Sequence, residues 1–441
     1  MIIEMPEVET LLSFVPTAQY GDRIDPERPS DVPGRLPAAT TAPRGGALHL
    51  SSVLPAVSSA IGAPVTTAVH RDPAALQSVL GLPDAGNGAA IVVLVDGLGY
   101  WNLVDRLGHA PYLRSLMNDS SNRRPISTCS PSTTVAAMAT FGTGTCPGLT
   151  GMTGYTQLNP TTDAICQLIQ FRGAPDPADL QRQPTVFEQL DSLGVRATSV
   201  GLMKFARSPL TTAALRGARY IADERPMQRV KKAAESARQP GLTYLYLRDT
   251  DKVGHAEGWL SEKWVAAFEK TDAQLAALRR LAPKGTLIVI VADHGMVMTD
   301  PAARIDIAAE PELMRGVRLV GGEPRCVALY AEEDESADEI AHRWKRRLGT
   351  RAWVRTKEEI VASGFYGPML HRTAEVVGDV VVCAGIDDEA AGRPGADGTP
   401  GNGVVTIVDS RTQTEQAMAL PSVHGSQTMT EMDIPCLVDM A

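Results

Sequence analysis

Three stretches of this chain couple a buried-type strand to an aspartate and a turn. Ala89-Ala90-Ile91-Val92-Val93-Leu94-Val95 stops at Asp96-Gly97-Leu98-Gly99. Leu242-Thr243-Tyr244-Leu245-Tyr246-Leu247 runs into Arg248-Asp249-Thr250-Asp251, and Thr286 to Ala292 runs into Asp293-His294-Gly295. Continuous β-branched runs suit central parallel strands covered on both faces better than alternating edge strands. Helix-like segments, Trp101 to Met117 and Ala266 to Leu281, fall between or beside them. The expected fold class is therefore α/β, with a mostly parallel central sheet and helices on both faces. Ligands in such sheets bind beyond the carboxyl ends of the strands, where these aspartates fall.

The rest of the chain divides by texture. Residues 1–46 are expected to form an irregular N-terminal arm, because Pro, Arg, Asp and Gly crowd residues 17–46 without a period. Residues 47–307 and 369–441 are assigned to the core, and 308–368 to a small α+β insertion or cap. Within the insertion, Val317 to Val320, Cys326 to Tyr330 and Ala352 to Arg355 read as short strands. Ser336 to Leu348 reads as an amphipathic helix, with Ser336 as N-cap and Asp338 and Glu339 in the first turn. Core sequence is expected to resume at Val376 to Val382, before a Gly/Asp/Pro-rich loop over 385–403.

Composition removes several function classes. No run of eighteen apolar residues occurs in the 441, which excludes a membrane-spanning helix. The net charge of −9, from 42 basic and 51 acidic residues, argues against a broad grip on polymeric nucleic acid. A local basic pocket for one small anion is compatible with it. The first residues lack the basic and apolar regions of a secretory signal, so the cytoplasm is the default location. Six cysteines, Cys129, Cys146, Cys166, Cys326, Cys383 and Cys436, contain no CxxC pair, which leaves no zinc ribbon or thioredoxin-type motif.

Five elements carry chemistry: Asp96; the hydroxyls of Ser130-Pro131-Ser132-Thr133-Thr134; Asp251-Lys252-Val253-Gly254-His255; Asp293-His294-Gly295; and Val423-His424-Gly425. Mixed carboxylate and imidazole sets suit Zn²⁺ or Mn²⁺. Six such groups are too many for one ion and fit two. Two ions about 4 Å apart can stabilise the attacking and leaving oxygens of an in-line displacement, so the implied reaction is phosphoryl transfer. His49, His70, His109, His342 and His371 stand outside the set and read as structural.

The order of these five elements resembles the alkaline phosphatase superfamily, and within it the nucleotide pyrophosphatase/phosphodiesterase branch, from about Ile91 onward. The resemblance implies one metal on Asp251, His255 and His424, and a second on Asp96, Thr134, Asp293 and His294. It also implies a nucleophile nine residues before a Thr-Gly pair. That pair is Thr143-Gly144, which selects Thr134, with Thr133 second. Cys129-Ser130-Pro131-Ser132 is similar to a sulfatase signature, but Thr133 stands where that signature needs Arg and Cys129 lies fourteen residues before Thr143. The family's phosphoryl-binding Asn falls on Tyr155, whose hydroxyl offers a similar donor; Asn159 and Lys204 are the alternatives.

The expectation is a two-metal phosphoric ester hydrolase, zinc-dependent or manganese-dependent. It would act on a small-molecule phosphate ester, a nucleotide among the candidates, through a phospho-threonine intermediate. The absence of an Arg beside Thr134 leans toward diesters. A phosphomonoesterase or phosphonate hydrolase on the same metals is the alternative, and a catalytically inactive metal-binding protein a distant one.

Overall fold

A computed structural model describes residues 3–28, 30–32, 42–393 and 401–441. Part of the arm and part of the 385–403 loop thus lie outside the described residues.

In chain order the main strands are β1 (Ala89–Val95), β2 (Ala197–Gly201), β3 (Arg219–Ala222), β4 (Gly241–Leu247), β5 (Leu287–Val291), β6 (Val317–Glu323), β7 (Cys326–Ala331), β8 (Ala352–Thr356), β9 (Val380–Ala384) and β10 (Cys436–Met440). The large sheet has the order β10-β5-β1-β4-β2-β3. All its pairings are parallel except β10 against β5. Every residue of β1 and β5 is buried, as their unbroken apolar sequences require. The helices that matter for the site are α1 (Thr134–Thr143), α2 (Asp249–Glu257), α3 (Glu262–Leu281) and α4 (Ala337–Leu348).

A second, antiparallel sheet has the order β6-β7-β9-β8. Val327, Leu329, Val380 and Val382 face α4 through Ile340 and Trp344, whereas Cys326, Val381 and Cys383 face Trp353, Ile360 and Phe365. Val376 to Val382 is expected in the core, but β9 pairs with β7 and β8 instead. An apolar run records that a strand is buried on two faces and says nothing about which sheet buries it. Ser336 does occupy the N-cap of α4, but its side chain makes no capping hydrogen bond. The single helix expected from Trp101 to Met117 is broken into Tyr100–Asp105, a 3₁₀ turn Leu107–His109, and Pro111–Leu116. Proline at position 111 has no backbone N–H to donate and its ring clashes with the preceding turn, so the helix restarts there.

The described part of the arm packs onto the molecule. Val8–Leu12 is a short helix, Val15 is fully buried, and Val15 N–H donates to Gln427 O at 2.9 Å. Thr430 Oγ1 donates to Leu11 O at 3.0 Å and Met429 N–H to Ser13 O at 3.0 Å. Arg325, at the β6–β7 turn, is buried and donates through Nε and Nη2 to the two Glu431 carboxylate oxygens, at 3.2 and 2.8 Å. Its Nη1 also donates to the Gly385 and Val405 carbonyls. Glu431 accepts the Ser426 N–H at 3.0 Å, so the two sheets are joined two residues from His424.

Candidate active site

Strand direction brings the chemistry together. β1 and β4 are parallel neighbours with Leu94 opposite Tyr246, and β5 lies on the other side of β1. Asp96 and Asp293 therefore leave the same end of the sheet. Asp251 lies just beyond β4 on α2, where an i, i+4 spacing sets it beside His255. Asp251 N–H donates to Asp96 O at 3.1 Å, and Gly97 makes that approach possible. With φ +70°, a Cβ at Gly97 would meet the Asp251 Cβ at 2.9 Å.

Two clusters result, each with its ligand-type atoms within 4.8 Å of one another: Asp96, Asp293 and His294, and Asp251, His255 and His424. His294 Nε2 lies 3.7 Å from Asp96 Oδ1 and 3.5 Å from Asp293 Oδ2. Asp251 Oδ1 lies 3.2 Å from His255 Nε2 and 3.9 Å from His424 Nε2. The His294 and His424 rings stack with centroids 3.5 Å apart, so the clusters share a wall.

Each imidazole is oriented by a backbone carbonyl. His294 Nδ1 meets Gly295 O at 3.1 Å, His255 Nδ1 meets Ser422 O at 2.8 Å, and His424 Nδ1 meets Ser132 O at 2.8 Å. A carbonyl only accepts, so Nδ1 carries the proton in all three and the Nε2 lone pair faces its cluster. Asp293 is fixed in the same manner: Oδ1 accepts the Gly97 and His294 N–H groups at 3.0 and 3.1 Å, which leaves Oδ2 without a partner. Asp96 Oδ1 and Asp251 Oδ1 are also buried and unpartnered. Three orphaned carboxylate oxygens and three inward lone pairs, with no donor among the described residues to satisfy them fully, fit divalent cations.

The charges respond to this crowding. Burial pushes the Asp96 carboxyl well above the carboxylate range, reinforced by Asp293 and Asp251, although the Tyr246 hydroxyl donates to its Oδ2. Burial pushes Asp251 up as well, but His255, His424 and His294 together outweigh it and hold its carboxyl below the usual range. His424 is driven well below the ordinary imidazole value, by burial first and then by the neighbouring imidazoles.

Thr134 is the first residue of α1, and its Oγ1 sits 3.1 Å from His294 Nε2. Thr133 is the buried N-cap, without a side-chain capping bond. Ser132 is turned away, its hydroxyl donating to Ser426 O at 2.7 Å. Cys129 is buried, with its thiol pushed up to about 12 by burial, far from a reactive thiolate.

The three suggested substrate contacts fare differently. Asn159 does not reach the clusters: its amide is buried in a turn, donating to Gly173 O at 2.7 Å and accepting from Thr161 N–H at 3.1 Å. The Tyr155 hydroxyl accepts from Gln167 Nε2 at 2.7 Å, while its N–H donates to Glu323. Lys204 lies 4.8 Å over the Phe205 ring, and its ammonium is held below the usual range by burial, then by Arg248 and Lys252. Phe205 in turn packs edge-on against Tyr246 at 5.8 Å.

Several contributors carry little signal in the sequence. Tyr246 was visible only as a polar-tipped residue near the end of a buried strand. The carbonyls of Ser132, Ser422 and Gly295 carry no sequence signal. Asn102 is buried and mimics a peptide: Nδ2 donates to Met296 O at 3.0 Å and Oδ1 accepts Met296 N–H at 3.0 Å. It thereby fixes the loop after Asp293-His294. Beside it, a Cβ on Gly99 would meet Gly295 Cα at 2.4 Å, and one on Gly295 would meet Thr430 O at 2.0 Å.

No curated relative matches the chain in sequence. Among solved structures, murine ectonucleotide pyrophosphatase/phosphodiesterase 5, an inactive variant in complex with AMP, superposes with a TM-score of 0.59 at 17% identity. That match covers 79% of this chain and 87% of the other. Phosphonoacetate hydrolase from Sinorhizobium meliloti 1021, in complex with phosphonoformate, superposes with a TM-score of 0.57 at 20% identity, covering 79% and 89%. Both likenesses place the fold among alkaline phosphatase-like α/β proteins. The profile of the Type I phosphodiesterase / nucleotide pyrophosphatase family matches residues 90–401, a span that holds every cluster residue but His424, and the chain belongs to that family.

Proposed function

We propose that this hydrolase cleaves small phosphodiesters or phosphoanhydrides, nucleotides among them, with Thr134 as nucleophile. The observation that carries the reading is Thr134 Oγ1, 3.1 Å from His294 Nε2 at the start of α1, beside two clusters with unpartnered carboxylate oxygens. Two divalent ions, zinc for the imidazole content and manganese as the alternative, would be held by Asp96, Asp293, His294 and Thr134 and by Asp251, His255 and His424, supplying positive charge for the nucleophile and the phosphoryl oxygens.

The Thr134 oxygen attacks phosphorus in line, forming a P–O bond as the leaving oxygen departs with its electron pair. Water then attacks the same phosphorus, and the P–O bond to Thr134 breaks to restore the hydroxyl. The N-terminal position on α1 favours negative charge on Oγ1 in both steps. The carbonyls of Gly295, Ser422 and Ser132 hold the imidazoles in the tautomer that leaves Nε2 unprotonated. Lys204, Arg248 and Lys252 crowd the Phe205 side of Tyr246 and would meet an anionic leaving group.

Diesters are favoured over monoesters. Among the described residues, no Lys or Arg hydrogen-bonds or ion-pairs with Thr134 or any of the six cluster residues. A dianionic monoester would lack an added cation there. The likeness to phosphonoacetate hydrolase supports C–P hydrolysis as the second reading. No helix among the described residues is long and apolar enough to cross a membrane, and all six cysteines are free and buried, which supports a reducing, cytoplasmic setting.

The test is hydrolysis of bis-p-nitrophenyl phosphate, p-nitrophenyl phosphate and phosphonoacetate, with and without chelator, by wild type and Thr134→Ala. Chelator-sensitive diester turnover that collapses in the variant supports the proposal. Phosphonoacetate turnover exceeding both esters would establish the second reading, and full activity in Thr134→Ala would remove the nucleophile assignment.

A further inference from the structure

The small sheet sets two thiols face to face. Cys326 on β7 and Cys383 on β9 are register partners, and their sulfurs lie 3.7 Å apart. The pairing geometry is the permissive kind. Ala384 N–H donates to Arg325 O at 2.8 Å, so 325 and 384 form a hydrogen-bonded pair and 326 and 383 the adjacent non-hydrogen-bonded pair. Across an antiparallel ladder that pair has the shorter Cα separation, about 4.5 Å, with side chains leaning together. Disulfides need Cα atoms roughly 4.4–6.8 Å apart. Rotation about χ1 thus suffices to join the sulfurs without moving either strand.

The surroundings treat the two sulfurs unequally. Arg355 Nη2 donates to Cys383 Sγ at 3.5 Å, and its guanidinium is clamped between Trp353 at 3.6 Å and Phe365 at 4.5 Å. The Cys326 thiol's hydrogen bond and the Arg355 charge hold Cys383 below the ordinary thiol range despite burial, while Cys326 is pushed above it. No other described cysteine pair shares such a contact, since Cys129, Cys146, Cys166 and Cys436 meet no sulfur. Arg355 also donates to Gln427 Oε1 at 2.5 Å, three residues past His424.

We propose that Cys326 and Cys383 form a redox-active dithiol that closes to an intrachain disulfide, with Cys383 as the attacking sulfur and a small peroxide as oxidant. Cys383 thiolate attacks one peroxide oxygen, the O–O bond breaks, and hydroxide leaves to take up a proton, giving a sulfenic acid. Cys326 sulfur then attacks the Cys383 sulfur, displacing the hydroxyl as water with the Cys326 proton. Two thiols and one hydrogen peroxide become one disulfide and two waters, the thiols oxidised by two electrons. The partner thiol 3.7 Å away makes disulfide closure faster than over-oxidation. Cys326 is 4% and Cys383 0% exposed, which rules out direct attack on an oxidant as bulky as glutathione disulfide.

The experiment treats the full chain, natively folded, with hydrogen peroxide, then denatures it, alkylates free thiols and maps tryptic fragments. The expected product is two hydrogens lighter, with fragments 326–343 and 373–411 joined and the other four cysteines alkylated. Its melting temperature should rise by about 5 °C, because a loop of 56 intervening residues is closed in the unfolded chain. Cys326→Ala should stop instead at sulfenic or sulfinic acid on Cys383, and Cys383→Ala should leave Cys326 reduced. Wild type needs no variant to fold, so the idea fails outright if native protein keeps both thiols alkylatable in peroxide. It fails equally if Cys383 reaches sulfinic acid while Cys326 stays free.

Discussion

Asp96 and Asp251 follow neighbouring parallel strands and lie within one site, yet their carboxyls are pushed in opposite directions. The difference is in their company. Asp96 shares a fully buried cluster with a second carboxylate and one imidazole. Asp251 shares a more open one with two imidazoles, and the His255 side chain is 28% exposed. Two carboxyls crowded into the buried inner cluster are costly to bury together; the outer cluster sets a single carboxyl between two imidazoles. The inner site thus has the greater need of a positive charge, whereas the outer site offers its carboxyl two imidazoles.

The strongest test of that contrast is Thr134→Ala, which removes the hydroxyl facing His294 Nε2. Diester turnover should fall by about 10³-fold or more while metal content stays unchanged. Next comes Asp293→Asn, which keeps the acceptor for Gly97 and His294 and replaces only the orphaned oxygen. Activity should drop by about 10³-fold with loss of one ion per chain, yet the metal-free protein should melt no lower than wild type, because a buried charge is gone. A clear fall in metal-free melting temperature would break the comparison. His255→Asn should cost less, about 10–10²-fold, and added zinc should recover part of it. Limited chelator should also release ions in two steps by metal analysis, the outer one first; simultaneous release would show the clusters to be one unit.

A separate test, on stability, concerns Glu323, which packs beside Gly425, next to His424, and accepts the Tyr155 N–H. Burial raises its carboxyl to about 8, against the Tyr155 N–H that lowers it. A carboxyl raised on folding holds more protons folded than unfolded, so it erodes stability as pH climbs from its unfolded value to about 8. Glu323→Gln should remove that slope and be more stable than wild type at pH 9, by at most about 5 kcal/mol, in denaturant titrations at pH 5 and 9. Parallel pH profiles for the two proteins would contradict it.

The sequence made some of this legible and hid the rest for physical reasons. Asp96, Asp251, His255, Asp293, His294 and His424 stand out because ionisable residues next to buried strands are rare and must have a purpose. The parallel sheet was readable in β1 and β5, whose apolar runs have no alternative partner-free state. β9 has the same kind of sequence and lies in the other sheet, because pairing is decided by long-range geometry. Tyr246, Asn102 and the Ser132 and Ser422 carbonyls act through position alone. Asn159 looked available and is not, because a side-chain amide near a turn satisfies the turn first.

Asn102 stands in for a stretch of β-ladder that the loop after His294 lacks, and Gly99 and Gly295 touch beside it. Packing ties these three positions into one unit. An aspartate at 102, a one-atom change, would turn an acceptor toward the Met296 carbonyl, and any side chain at 99 or 295 would push the crossing apart. Relatives that drift at one of these sites should be found to have drifted at the others, and an alignment that pairs a new residue at 295 with an unchanged 99 and 102 should mark a lineage whose site has been rebuilt.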